Sequence, residues 1–399
     1  MAGPLAGVRV LECAQIMAGP TCGALLADLG ADVIKVEKIP GGDDARAYRE
    51  PRIAGVSAPF LVMNRNKRGI ALDFKHPEGR EALLKLVDSA DVLVENYRPG
   101  TMDRLGLGWE ALHARKPSLV YCSISGFGLD GPLGGAGGFD LVAQAFAGLM
   151  SITGEPGRPP AKVGSSVADL NAGLLAASGI LAAYVHRLKT GEGQRVDTSL
   201  MEAALHQTGW HASVWFATGT SPGPLGSGHV LAAPYQAFRA RDGWIVIGGA
   251  NASNWERVCD VLGRPDWKTD PRFADNSARM ANLPALAEAI DGVLGSRDAA
   301  DWLAALAAAG VPAGPVHTIG EALSHPQTLA RRMVVDLPHP TAGSTRALGA
   351  PIKLSATPTE VRRHAPALGE HTREVLREHG WDDAAIDALL ASGAALQSG

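Results

Sequence analysis

Short apolar strands alternate with helices through the first half of the chain, and no other feature constrains the fold as tightly. Val8-Arg9-Val10-Leu11-Glu12 reads as a buried strand. A loop with Ala18-Gly19-Pro20 follows, then a small-residue helix over 21–29, a terminating Gly30 and a second strand over 32–37. Strand, Gly-Pro turn, helix, glycine, strand is a βαβ unit of the doubly wound kind. The alternation continues with a strand at 69–73, an amphipathic helix at 77–89, and strands at 91–96, 118–124 and 194–198. In a parallel sheet of this sort, ligands sit in loops at the carboxyl ends of the strands. The expected class is therefore α/β, with a Rossmann-like large domain.

Gly219 to Pro234 is rich in Gly, Pro and Ser and marks a boundary. Beyond it, a hairpin around Arg241-Asp242-Gly243 and three helical stretches read as a smaller α+β domain. The division expected is 1–218 for a first unit, 219–325 for the small domain and 326–399 for a C-terminal segment. At 399 residues, 46% hydrophobic and 20% charged, the chain has the composition of a soluble globular protein.

Several function classes drop out. A net charge of −4 disfavours a general nucleic-acid or anionic-membrane binder. Cys13, Cys22, Cys122 and Cys259 are scattered without a CxxC pair, which disfavours a zinc site or disulfide framework and favours a reducing, cytoplasmic compartment. No basic start precedes an apolar core, so no secretory signal is read. The apolar run 170–188 is interrupted by Asn171, Ser178, His186 and Arg187, and reads as a buried helix. The first loop holds only Gly19 and Gly23, so the GxGxxG fingerprint of a nicotinamide or flavin site is missing.

The stretch Gly126 to Asp169 carries the chemistry. Its glycines expose backbone or let it approach a ligand closely. Asp140 and Asp169 each follow a glycine-containing loop and precede an apolar, helix-like run. One reading makes both helix N-caps. The other makes Asp169 a carboxylate nucleophile, because an acid of ordinary pKa, ~3.9, is about 99.9% ionised at pH 7 and a helix N-terminus favours the charge. Basic residues in Asn64-Arg65-Asn66-Lys67-Arg68, and Arg98 and Arg104, are either solvated charges or contacts to an anionic ligand.

Several segments fit one pattern together. They are Pro4-Leu5-x-Gly7-Val8; Ala18-Gly19-Pro20; Gly30-Ala31-Asp32-Val33-Ile34-Lys35-Val36-Glu37 with Gly42-Asp43; Asn64-x-Asn66-Lys67-Arg68; and Val94-Glu95-Asn96 with Pro99-Gly100. Ala136-Gly137-Gly138-Phe139-Asp140, Ala168-Asp169, Thr190-Gly191-x-Gly193-Gln194, Pro234-Tyr235 with Phe238, Gly310-Val311-Pro312 and Leu368-Gly369-Glu370-His371-Thr372 extend the pattern over nearly the whole chain, and together these segments resemble the class III CoA-transferases.

The resemblance implies a large Rossmann-like domain made from both ends of the chain, with 326–399 returning to it, an interlocked homodimer and a catalytic aspartate at Asp169. It places CoA along Gln15, Ile16, Ala18, Lys38, Arg104 and the Asn66-Lys67-Arg68 cluster. It also implies a mobile glycine loop matching Gly226-Ser227-Gly228-His229, with Asp140 shaping the pocket or capping its helix. An acyl-CoA and a free carboxylic acid are the substrates. No permanent cofactor, metal, nucleic acid or membrane is implied. Related racemases carry His where this chain has Phe139, which cannot move a proton, so transfer is favoured over α-methylacyl-CoA racemisation. The closest resemblance is to enzymes moving CoA between dicarboxylates, with succinyl-CoA as donor. Oxyanion donors are expected from backbone N–H groups of 226–228 and 15–18, and Arg46, Arg65 and Arg98 are candidates for a distal carboxylate.

Overall fold

The computed structural model describes residues 3–398; residues 1, 2 and 399, at the outer ends of the expected domains, lie outside that range. The chain divides into two compact units. One contains the residues up to 147, 164–207 and 325 onward; the other contains 148–163 and 208–324. The segment 148–163 thus belongs with the second unit, although it lies inside the stretch 1–218 that reads as one piece in sequence. Both passages into the second unit, at 147–148 and 207–208, fall where one expected helix is two. Residues 139–150 form Asp140–Phe146 and Leu149–Ile152, and residues 200–217 form Leu200–His206 and Gly209–Thr218.

The first unit is built on a seven-stranded sheet. Its parallel strands are β1 (Arg9–Cys13), β2 (Asp32–Glu37), β3 (Lys67–Leu72), β4 (Val92–Glu95), β5 (Val120–Ser125) and β6 (Arg195–Ser199). They run in the order β3-β2-β1-β4-β5-β6, and Ala395–Leu396 adds an antiparallel edge beside β3. This is the doubly wound order of dinucleotide-binding sheets, whose direction of build reverses between β1 and β4. Helices that matter below are α1 (Ala18–Asp28), α2 (Pro77–Ser89), α3 (Asp140–Phe146) and α4 (Val167–Thr190).

The core follows from the strands' apolar runs. Leu11, Ile34, Ile70 and Leu93 pack with Leu83 and Leu86 of α2 and with Val375 and Leu376. α4 is the one helix among the described residues long and apolar enough to cross a membrane. It packs on α1, β5 and β6 along a stripe including Ala168, Ala172, Ala176 and Ala183.

The second unit has its own sheet, Tyr235–Arg239, Trp244–Gly248 and Ala313–Pro315, all antiparallel. Its core is aromatic, with Trp255, Trp267, Phe273 and Trp302 buried. A separate hairpin in the first unit pairs Val334–His339 with Gly343–Leu348.

Candidate active site

A cavity of about 150 Å³ opens at the carboxyl ends of β1, β4 and β5. Gln15, Ile16, Met17 and Ala18 line it after β1; Asn96, Tyr97, Arg98 and Pro99 line it after β4; Gly126 lines it after β5. β1 and β4 flank the point where strand order reverses, which is where open α/β sheets place ligands. Asp169, Leu200 and Phe139 complete the wall. The volume suits the reacting end of a ligand rather than a whole coenzyme.

The glycine-rich stretch closes the wall by direct backbone contact. A Cβ on Gly126 would lie 2.6 Å from Gly138 N, and one on Gly138 would lie 2.6 Å from Gly126 Cα. Neither position has room for a side chain, so β5 and the loop carrying Phe139 meet at van der Waals distance.

Asp169 is the third residue of α4. Burial first, and the neighbouring Asp140 charge second, push its carboxyl up to about 6. The expectation that a helix N-terminus leaves this acid at its ordinary value is therefore corrected: desolvation wins over the dipole. At pH 7 the group is still about 90% ionised, one pH unit above its pKa. A carboxylate raised this far is a stronger base and nucleophile than a solvated one, yet needs no separate base to deprotonate it.

Neither acid caps its own helix. Phe139 and Ser166 occupy the two N-cap positions, and neither supplies a side-chain cap. Instead Asp140 Oδ1 accepts the Ala168 N–H of α4 at 2.9 Å, and its Oδ2 accepts from Gln144 Nε2 at 2.7 Å. Asp140 thus holds the first turn of the helix that presents Asp169.

Of the expected coenzyme contacts, Gln15, Ile16 and Ala18 line the cavity. Lys38 and Arg104 do not: Lys38 Nζ pairs with Asp44 at 2.5 Å and lies 3.4 Å from Gln15 Oε1, while Arg104 Nη2 donates to Thr101. Within the Asn66-Lys67-Arg68 cluster Lys67 is enclosed, while Asn66 and Arg68 line a different cavity, of about 1020 Å³, from the one holding Asp169. The strand begins at Lys67 and Asn66 lies in the turn before it, so the cluster sits at a loop-strand junction, and side chains of a strand alternate between its faces. Lys67 is fully enclosed against Glu12. Arg68 is bound by Asp32, Glu374 and Glu378. Asn66 bonds Asp28 and the backbone of 360, 362 and 363.

Among the three candidate cations for a distal carboxylate, Arg98 lines the cavity. Arg46 is held bidentately by Glu37, both bonds 2.7 Å, and lies over the Phe60 ring; Arg65 is paired with Asp28 at 2.5 Å. Two of the expected oxyanion donors near the first loop are already engaged, since the Gln15 N–H donates to Asn96 and the Ile16 N–H to Asp43. The N–H groups of Ala18 and Gly19 open α1, where a helix has no internal acceptors for them. In the second unit, Gly226 N–H donates to Gly154 and Gly228 N–H to Leu225, and His229 stacks on Tyr235. Asn96 has no role in the sequence reading, yet it clamps Gln15 through both its N–H and its carbonyl, each at 2.9 Å. Its place directly after β4 at the reversal point is the signal that marks it.

The sequence model of CoA-transferase family III matches residues 5–372. The chain is 38% identical to succinate–glutarate CoA-transferase of Agrobacterium fabrum, over 94% of this chain and 95% of that one. It is 35% identical to succinyl-CoA:glutarate CoA-transferase of Mus musculus, over 98% and 90%. A CaiB/BaiF family protein from Brucella suis superposes with a TM-score of 0.84 at 39% identity, covering 95% of this chain and all of the other.

The chain belongs to CoA-transferase family III. A family III CoA-transferase is an enzyme that transfers CoA, so a CoA thioester is a substrate here. In this CoA-transferase the buried carboxylate, the glycine wall and the helix entrance of α1 converge on one cavity.

Proposed function

We propose that this enzyme moves CoA from succinyl-CoA to a dicarboxylic acid through covalent intermediates on Asp169. The observation carrying the reading is a mostly ionised carboxylate of raised pKa inside the cavity at the strand-order reversal. The dicarboxylate substrates of the relatives support the choice of donor and acceptor.

The Asp169 carboxylate attacks the thioester carbonyl, the C–S bond breaks, and CoA thiolate leaves a succinyl-aspartyl anhydride. Thiolate attacks the aspartyl carbonyl, succinate departs, and Asp169 holds CoA as a thioester. The acceptor carboxylate displaces thiolate to form a second anhydride. Thiolate then attacks the acceptor's carbonyl, giving the new acyl-CoA and restoring the carboxylate. No proton is gained or lost overall, which suits a wall without a histidine at position 139. The N–H groups of Ala18 and Gly19 are suited to stabilising the developing oxyanions. Gln15, Ile16 and Ala18 hold the pantetheine end, with Lys38 and Arg104 toward the phosphates. Arg98 receives the distal carboxylate of the acid.

The same reading includes a homodimer in the cytoplasm. Phe139, Phe146, Leu188, Trp210, Phe216 and Ile319 are strongly exposed, Phe216 at 83%, and exposed apolar groups of this size suit a covering second copy. The four cysteines are buried free thiols, which suits a reducing compartment.

Incubation of the protein with succinyl-CoA and glutarate, followed by chromatography of the CoA esters, tests the reading. Glutaryl-CoA formed by the wild type and absent with Asp169→Ala is expected. Equal formation by both proteins would overturn it.

A further inference from the structure

Four charged side chains, Glu12, Lys35, Asp43 and Lys67, form an ionic cluster with no solvent exposure at all. Lys35 Nζ lies 3.0 Å from Glu12 and 2.8 Å from Asp43; Lys67 Nζ lies 2.7 Å from Glu12. The charges cancel, but burying four ions is a poor route to stability, because apolar side chains of similar volume do as well or better. Burial pulls Lys67 down to about 8 despite Glu12, a sign of how much the enclosure costs it. Gly23 of α1 belongs to the arrangement, since a Cβ there would stand 1.7 Å from a Glu12 carboxylate oxygen.

What apolar residues would not reproduce is where the cluster's remaining hydrogen bonds go. Lys35 donates to Ala14 O at 2.9 Å, Asp43 Oδ1 accepts the Ile16 N–H at 2.9 Å, and Lys67 donates to Pro20 O at 2.9 Å. All three partners are backbone groups between Ala14 and Pro20, in the loop entering α1 and its first turn, and Ile16 among them lines the cavity beside Asp169. Within this loop Ile16 sits at φ +66°, a left-handed conformation that a β-branched residue takes only when held there.

We infer that Asp43, backed by Lys35, is a positioning residue for the transfer reaction: it fixes Ile16 in its left-handed conformation and thereby aims the N–H groups opening α1 at the reacting carbonyl. This rests on the cavity being the transfer site, as proposed above. Asp43 does not line the cavity and acts only through the loop.

The test uses Asp43→Leu, Lys35→Met and the double variant in the full chain; leucine, unlike asparagine, cannot accept the Ile16 N–H. Each single change leaves a buried charge unpaired, so Tm falls. The double change removes one charge of each sign, leaves the Glu12–Lys67 pair intact and restores much of the Tm. A purely structural role would restore turnover with it. A positioning role would not: kcat per Asp169 trapped covalently stays about 10-fold or more below wild type, with KM for succinyl-CoA within about 3-fold. Hydrogen exchange of the peptide covering 14–20 rises in all three variants. The inference is overturned by any of these variants that is folded and keeps kcat within about twofold of wild type. If the wild type forms no Asp169 adduct, the transfer reading itself fails, and unchanged exchange at 14–20 separately overturns the claim that Asp43 holds the loop.

Discussion

The carboxylate of Asp140 caps the backbone of Ala168, the residue directly before Asp169, at 2.9 Å. One acid thus fixes the helix turn that presents the other. The same proximity places a negative charge beside Asp169 and contributes, after burial, to its raised pKa. One side chain thus acts on both position and basicity, with burial the larger influence on the latter.

Asp140→Asn separates these two effects. The amide oxygen can still accept the Ala168 N–H, but the repelling charge is gone, so the Asp169 pKa falls and the acid limb of the rate moves to lower pH. Asp140→Ala loses the cap as well and costs about 1 kcal/mol of stability. Denaturant titration and a pH–rate profile on the two variants check both statements.

The wild-type acid limb is expected near pH 6, with kcat/KM falling about tenfold per unit below it, because attack needs the ionised carboxylate. Burial also pushes Glu95, at the end of β4, up to about 7. A limb that moves in Glu95→Gln and not in Asp140→Asn would assign the profile to the wrong carboxylate.

Stability carries the opposite sign. A carboxyl whose folded pKa is raised favours the fold while protonated. Its contribution is greatest below the unfolded value, ~3.9, and is lost as pH rises through about 6. Asp169→Asn is therefore expected to be more stable than wild type at pH 7.5, by at most about 3 kcal/mol before solvent screening, and to match it near pH 3.5. Melting curves at the two pH values decide this.

Lys67→Met distinguishes a structural lysine from a coenzyme contact. It leaves Glu12 with Lys35 alone, and breaking a buried pair costs about 3–5 kcal/mol. KM for succinyl-CoA, measured on the folded fraction at low temperature, is expected to stay within about 3-fold. A large rise in KM without loss of stability would put Lys67 back in the coenzyme site.

Arg98→Ala is expected to raise KM for glutarate by about 10-fold or more and to leave a monocarboxylate acceptor nearly unchanged, since only the former presents a second anion. Parallel acceptor titrations measure the difference.

Much of the architecture was legible because strand and helix periods differ. The apolar runs that became β1, β2, β4, β5 and β6, and the amphipathic run that became α2, locate themselves within a residue or two. Asp169 stood out through the family resemblance, because an acid after glycines and before an apolar run reads equally well as a helix N-cap. The basic cluster stayed ambiguous because a charge run in one dimension does not show which way each side chain points. Once β3 begins at Lys67, alternation sends Lys67 into the Glu12 cluster and Arg68 to Asp32. The cross-helix cap from Asp140 and the Asn96 clamp on Gln15 span 28 and 81 residues, and no local pattern encodes such pairs. The breaks at 147–148 and 207–208 were hidden because apolar helical spacing continues across them.

The most direct test of the central claim is mass spectrometry of the protein incubated with succinyl-CoA and no acceptor, followed by peptide mapping. The account predicts a CoA or succinyl adduct confined to the peptide containing Asp169 and absent from Asp169→Ala. An unmodified Asp169 peptide, together with undiminished turnover by Asp169→Ala, would contradict it.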